Sequence, residues 1–416
     1  MTTDTQMLGP IASTARIQAM DVLRGFALLG ILLMNMEGFV GPLMASISGL
    51  NPTLTGADAW VDSLIFIFVQ GKFYTLFSLL FGMGFAVMMQ RTLASGRPFA
   101  GIYLRRTIVL LMIGLIHAIF IWAGDILVSY ALVAFALLLF FRNTPQTRLP
   151  KWGIFFALLP GALMIVFGLL TDMAKMNPEA AEQIAKSGAA QQMMMDGSIA
   201  SERTAYGSGS YMDAIAQRWE TLKMMMGFLA FFGANILGMF LLGAWFVRSG
   251  AISRPNDFSS LYSKLRWLAF PAGLAMVVWA FWMQPTKAMA EMSLQSGFVE
   301  FLHFTGSLLM CLGYVAWVIK GLQNSSISPR LALLAPAGRM ALSNYLTQSI
   351  VCTLIFYSYG LGYFEQLPRT WQLPFAVAFW SLQLLLSRWW LARYTMGPAE
   401  YVWRWLTYGK QPKFVS

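Results

Sequence analysis

The residues able to do chemistry in this chain stand inside apolar stretches. There an ionisable side chain costs a few kcal/mol or more, which makes each one a functional candidate. His117 is the first, in Gly114-Leu-Ile-His117-Ala-Ile-Phe-Ile-Trp122-Ala-Gly124-Asp125. Gly124 and Asp125 form a tight reversal that brings Asp125 back toward the helix carrying His117. A buried histidine beside a carboxylate can serve as general base, with the carboxylate fixing its tautomer. The plainer alternative is a histidine bonded to a helix backbone and an aspartate that only caps the next helix.

Three further groups accompany this pair. In Met20-Asp21-Val-Leu-Arg24, Asp21 and Arg24 share a helical face, and Asn35 returns to nearly the same angle about 16 Å deeper. The stripe is either an interfacial ion pair with Asn35 bonded to a neighbouring helix, or an anion site in which Arg24 holds a phosphate or carboxylate. In Gln70-Gly71-Lys72, Lys72 sits at a helix end, where it snorkels to the interface or joins the site. In Gly338-Arg339-Met-Ala-Leu-Ser343-Asn344-Tyr345-Leu-Thr-Gln348, Arg339 pairs in position with Ser343, and Asn344 lies one turn before Gln348. Those amides either bridge helices or stabilise an oxyanion. His303 has no partner in sequence and reads as a packed histidine.

The elements that must hold these residues follow from composition. Of 416 residues, 57% are hydrophobic and 11% charged, whereas a soluble domain carries about 25% charged residues. Ten apolar runs of membrane-spanning length appear at about 25–45, 73–90, 106–123, 126–141, 153–172, 224–247, 267–284, 298–319, 341–360 and 373–392. The expectation is an all-α, polytopic transmembrane bundle of about ten spans, with a short interfacial helix near 58–70 that carries Asp58 and Asp62. With both termini inside, the inner loops and helix ends hold 21 of the 29 basic residues and four of the 18 acids, as the positive-inside rule requires.

The net charge of +11 thus belongs to the loops of one membrane face, with no basic cluster interleaved with aromatics for nucleic acid. The polar first 20 residues and the apolar run from Phe26 read as an uncleaved first span, not a signal peptide. Cys311 and Cys352 read as packed thiols, and two histidines offer no metal-ligand cluster. The chain divides into a five-span half (1–172), an outer segment over the bundle mouth (173–223, with a short amphipathic stretch to Arg218) and a second five-span half (224–416). The halves show no repeat, which weighs against an inverted-repeat transporter.

At these residues the chain resembles the YeiB family of bacterial inner-membrane proteins. The resemblance rests on Asp21-Val-Leu-Arg24-Gly25, Gly71-Lys72-Phe-Tyr-Thr-Leu-Phe, His117 through Gly124-Asp125, Gly338-Arg339-Met-Ala-Leu-Ser-Asn344-Tyr345 and Gly397-Pro398-Ala-Glu400-Tyr-Val-Trp403-Arg404. The family is similar, more distantly, to transmembrane acyltransferases such as heparan-α-glucosaminide N-acetyltransferase. Those share a Leu-Asp-x-x-Arg-Gly-like start and use an intramembrane histidine; here Met20 replaces the leucine and His117 is the matching histidine.

The resemblance implies transfer of an acyl group from cytoplasmic acyl-CoA to a hydroxyl or amine on the far side. Asp21, Arg24, Arg105, Arg106 and Arg339 would bind the phosphoadenosine, and His117 and Asp125 would catalyse. Asn35, Asn344 and Gln348 would hold the oxyanion, with Lys72 nearby. It implies no tightly bound cofactor, with acyl-CoA as co-substrate. The partners expected are membrane lipids, a periplasmic glycan or lipid acceptor and, at most, a second copy of the chain. A transporter or flippase for a lipid, peptide or small molecule is the first alternative. A non-catalytic receptor or assembly protein is the second, with the 173–223 segment as its contact surface.

Overall fold

The structure, a computed structural model, describes residues 17–47, 49–286 and 292–415. Most of the polar leader, Arg16 included, lies outside the described residues. Among the described residues every extended element is helical. The chain runs through α1 (Gln18–Val40), α2 (Leu43–Ser46), α3 (Gly56–Phe68), α4 (Lys72–Ala94) and α5 (Phe99–Phe120). Next come α6 (Leu127–Ala136), prolonged by a π turn (Leu137–Phe141), then α7 (Leu149–Ala174), α8 (Pro178–Gly207) and α9 (Tyr211–Arg248). After α10 (Ser259–Lys264), a second π turn (Leu265–Ala269) leads into α11 (Phe270–Met283). The chain closes with α12 (Leu294–Leu322), α13 (Ser328–Ala332), α14 (Ala335–Arg339), α15 (Ala341–Phe356), α16 (Arg369–Leu391) and α17 (Pro398–Tyr408).

Each of the ten apolar runs has its main part on a helix. Among the described residues, seven helical stretches, Gly56–Ala94 counted as one, are long and apolar enough to cross a membrane, and Leu127–Phe141 and Ala341–Phe356 are apolar but shorter. Large apolar side chains face outward, such as Phe140 at 74% and Trp282 at 80% exposure. A surface of this kind matches lipid, which needs no polar coat. The protein is therefore a helical membrane protein. Cys311 and Cys352 are buried free thiols, as expected.

Small residues set the closest helix approaches. A Cβ on Gly338 would fall 1.8 Å from the Asp21 carbonyl oxygen, and one on Gly25 would fall 2.1 Å from that of Leu334. These two contacts clamp α14 onto α1 and bring Arg339 beside the Asp21–Arg24 turn.

The 173–223 segment is more ordered than its composition suggested. The Asn177 side chain accepts from the Glu179 and Ala180 amides ahead of Pro178, which starts α8. Ser210 and Asp213 form a capping box that starts α9 at Tyr211, and α9 then continues without a break to Arg248. Helix-favouring Ala, Gln, Glu and Met supply the propensity that apolar periodicity does not. Arg218 is fully buried and donates to the Phe120 carbonyl and the Tyr359 hydroxyl. Its guanidinium carbon lies 5.4–6.0 Å from the ring centres of Tyr206, Tyr211, Tyr357 and Tyr359. Glu202 accepts from the Met44 amide and the Thr221 hydroxyl at 3.0 Å each. The segment thus covers the bundle end to which α5 runs.

Candidate functional site

The end of α5 folds back as the sequence predicts. Ile121 and Trp122 amides both bond the His117 carbonyl, closing the helix in one turn. Asp125 then reaches in two directions. Its Oδ2 lies 2.7 Å from His117 Nδ1, and its Oδ1 accepts from the Val128 amide at 2.7 Å, in the first turn of α6. Both side chains are 1% exposed. A carboxylate only accepts, so Nδ1 carries the proton and Nε2 is left as the basic nitrogen. His117 Nε2 is buried and has no hydrogen-bond partner among the described residues.

Beside this pair lies a cavity of about 350 Å³ between α1, α4, α5, α6, α14, α15 and α17. Its lining runs along α4 from Arg91 to Phe77, fourteen residues or about 21 Å. Arg24, Arg91, Arg106, Arg339 and Arg404 contribute to the wall, with Asp21 and Glu400 its acids among the described residues. Farther along, the wall is Ile31, Phe77, Leu80, Phe81 and Leu110, then Ile126, Leu127, Tyr130 and Tyr345. The Tyr345 ring centre is 5.1 Å from that of His117. The cavity therefore leads from an arginine-rich end to the aromatic wall of the His117–Asp125 pair.

The arginine-rich end is organised. Arg24 donates to Asp21 at 3.1 Å. The Arg106 guanidinium stacks 3.6 Å from the centre of the Trp403 ring, and the Trp403 indole donates to the Arg106 carbonyl at 3.0 Å. Such a stacked, planar cation still presents N–H groups to a phosphate.

Not every candidate joins the cavity: His117 and Asp125 lie beside its Ile126, Leu127 and Tyr345 wall and are not themselves among the lining residues. Arg105 is exposed, and neither it nor Asn35 is among the lining residues. Lys72 neither snorkels nor lines the cavity: it is 0% exposed, and its ammonium donates to the Phe66 carbonyl at 3.0 Å. Burial of α3 against the bundle takes Lys72 out of reach of the interface. Asn344 donates to the Ala337 carbonyl and Ser387 hydroxyl, and Gln348 donates to Gln383, which donates to the Asn344 carbonyl. That α15–α16 amide ladder is the helix-bridging alternative; neither amide lines the cavity. Ser343 bonds Glu400, not Arg339. His303 is buried against Phe66, ring centres 5.0 Å apart, as a packed histidine.

The sequence reading assigned no role to Tyr345, Tyr130, Trp403 or Glu400, although three of them sit inside the quoted motifs. It also missed a buried charge cluster. Arg369 is 6% exposed and bonds Asp62 and Gln372 at 2.8 Å and Glu37 at 3.4 Å. The available signal was Asp62 in an apolar run.

Glu400 fixes the start of α15. Its carboxyl accepts from the Leu342 amide at 2.8 Å, the Ser343 amide at 3.3 Å and the Ser343 hydroxyl. The carboxyl is enclosed while the stem is half-buried, and burial pushes its pKa above the ordinary 4.5, against the Ser343 bonds that lower it. The folded protein thus keeps this proton to higher pH than the unfolded chain does. That contribution is complete below pH 4.5 and is lost as pH rises through the shifted value. Melting midpoints measured from pH 4 upward are expected to fall over this window, and Glu400→Gln is expected to flatten that fall. An unchanged slope in the variant would assign the dependence to other groups.

With this geometry, the chain is a polytopic helical membrane protein built around an internal, arginine-lined site. It belongs to the YeiB-like family. It is 34% identical over 417 residues to "Uncharacterized protein YxaH" of Bacillus subtilis (strain 168), covering 96% of each chain. It is 30% identical over 395 residues to "Uncharacterized protein YeiB" of Escherichia coli (strain K12), covering 93% of this chain and 95% of that one. A third relative, "Uncharacterized 39.9 kDa protein in amylase 3'region" of Bacillus acidopullulyticus, is 26% identical over 405 residues and 97% of each chain. Residues 246–410 match the family described as "Protein of unknown function (DUF418)". No solved structure matches the chain.

Proposed function

We propose that this protein is a ten-span acyltransferase of the bacterial inner membrane, with both termini in the cytoplasm. It takes an acyl group from cytoplasmic acyl-CoA and delivers it to a hydroxyl or amine of a periplasmic glycan or membrane lipid. The observation that carries the reading is the His117–Asp125 pair buried beside a cavity whose other end is rich in arginine. Arg24, Arg106 and Arg339 hold the phosphates by charge-assisted hydrogen bonds, and the pantetheine arm follows the apolar wall to Tyr345. His117 Nε2 takes the acceptor proton as the acceptor attacks the thioester.

The test is calorimetric titration of the purified protein with CoA. Saturable binding is expected, weakened at least tenfold by Arg106→Gln, since one lost charge-assisted contact is worth about 1.5–3 kcal/mol. Absence of saturable binding would overturn the donor assignment. One observation favours transport instead: the buried Glu37–Asp62–Arg369 cluster has the chemistry of a proton or ion relay. A substrate gradient formed in proteoliposomes without acyl donor would decide for that reading.

A further inference from the structure

Buried tyrosine hydroxyls ordinarily find a partner, and each exception asks for a cause. Tyr345 is 5% exposed. The Ile126 backbone approaches its oxygen from the donor side, and no acceptor for its O–H is found among the described residues. Packing alone would be served by phenylalanine. Two buried polar groups without a complement among the described residues, the Tyr345 O–H with no acceptor and His117 Nε2 with no donor, therefore belong to rings 5.1 Å apart, and Tyr345 is part of the cavity wall.

The two atoms are chemically complementary. Nε2 is a proton acceptor in the tautomer that Asp125 imposes, and the phenol is a proton donor. Both are held by backbone structure. Asp125 is locked to the first turn of α6 through the Val128 amide, and Glu400 caps α15 two turn positions before Tyr345. A base and a hydrogen-bond donor, both buried and pre-oriented, are what attack on a carbonyl requires.

We infer that Tyr345 is a catalytic residue that donates a hydrogen bond to the thioester carbonyl oxygen while His117 Nε2 deprotonates the acceptor. The inference rests on the acyl-transfer reading above and names a second group for it. The acceptor oxygen or nitrogen bonds to the carbonyl carbon, and its proton passes to Nε2. The carbonyl π pair moves to oxygen, where the Tyr345 O–H stabilises it without giving up its proton. The carbonyl then re-forms, the C–S bond breaks, and the departing thiolate takes the proton from Nε2. An acyl thioester and an X–H acceptor become an acylated acceptor and a thiol, and both side chains end as they began.

The experiment uses [1-¹³C]acetyl-CoA and difference infrared spectroscopy of the purified full chain. The His117→Asn background retains a donor toward Asp125 and does not consume the probe. A hydrogen bond from Tyr345 lowers the labelled carbonyl stretch, so adding Tyr345→Phe is expected to raise it while binding is retained. On otherwise native protein, Tyr345→Phe is expected to lower kcat about 10²-fold, the scale of one oxyanion donor, with KM for acetyl-CoA unchanged. An identical carbonyl band with and without the hydroxyl overturns the role of Tyr345 and leaves the donor reading standing. Failure of the probe to bind at all overturns both. A markedly lowered melting midpoint for Tyr345→Phe would assign the hydroxyl a structural partner and also overturn the inference.

Discussion

His117→Ala is expected to lower acyl transfer by about 10²–10⁴-fold, the usual contribution of a general base. The measurement is thiol release from acetyl-CoA by membrane vesicles that contain the overproduced protein and its native acceptors. Alanine also strands the buried Asp125 carboxylate, so folding must be separated from chemistry. His117→Asn does this, because its amide nitrogen still donates toward Asp125 Oδ2 while the basic Nε2 is gone. Asp125→Asn makes a different change. Its amide nitrogen would donate to Nδ1 and move the ring proton to Nε2, which leaves the imidazole in place with the wrong tautomer. All three variants are expected to bind CoA at the arginine-rich end. Undiminished thiol release by His117→Asn would remove the base from the mechanism.

Arg369→Met is expected to cost about 3–5 kcal/mol of stability, the scale for breaking a buried ion pair by removing one partner. Arg369 is the cation between Asp62 and Glu37, and Gln372 holds its third donor. Its loss leaves two carboxylates crowded in a buried site with one amide. Arg369→Lys keeps the charge and loses the planar fork, so it should fall between. Removing the carboxylates together with the cation, as Leu at positions 37 and 62, should recover most of the loss, since an apolar cluster of similar volume needs no counter-charge. Melting midpoints in detergent read all four proteins. A midpoint for Arg369→Met equal to that of the parent would show that the cluster does not hold α1, α3 and α16 together.

The helices were legible because lipid demands long apolar runs, and each of the ten runs has its main part on a helix, although 25–45 breaks after Val40 and ends in α2. The His117–Asp125 contact was legible for a local reason: eight residues and a Gly-Asp reversal leave the carboxylate little room to go elsewhere. What stayed hidden depended on partners far along the chain. Asn344 and Gln348 announce themselves as polar, yet their use as a helix bridge is set by Ser387 and Gln383 on α16. Lys72 reads as interfacial until α3 is folded against it. Arg369 follows a proline in a polar turn, and only the packing of α16 on α1 and α3 turns it into a buried cation. Helix α8 was masked by composition, because its Ala, Gln and Met residues carry helix propensity without an apolar stripe.

His117 and Asp125 come from one reversal, residues 117–125, whereas α14, α15 and α17 supply Arg339, Tyr345, Glu400, Trp403 and Arg404 from beyond residue 335. The buried His117–Asp125 pair and nine of the 29 cavity-lining residues are thus encoded on different stretches of the gene. The matched DUF418 region, 246–410, contains those nine residues and not the pair. Drift or recombination in the later stretch can reshape the arginine-rich end of the cavity while the His117–Asp125 contact, made within one local reversal, stays in place.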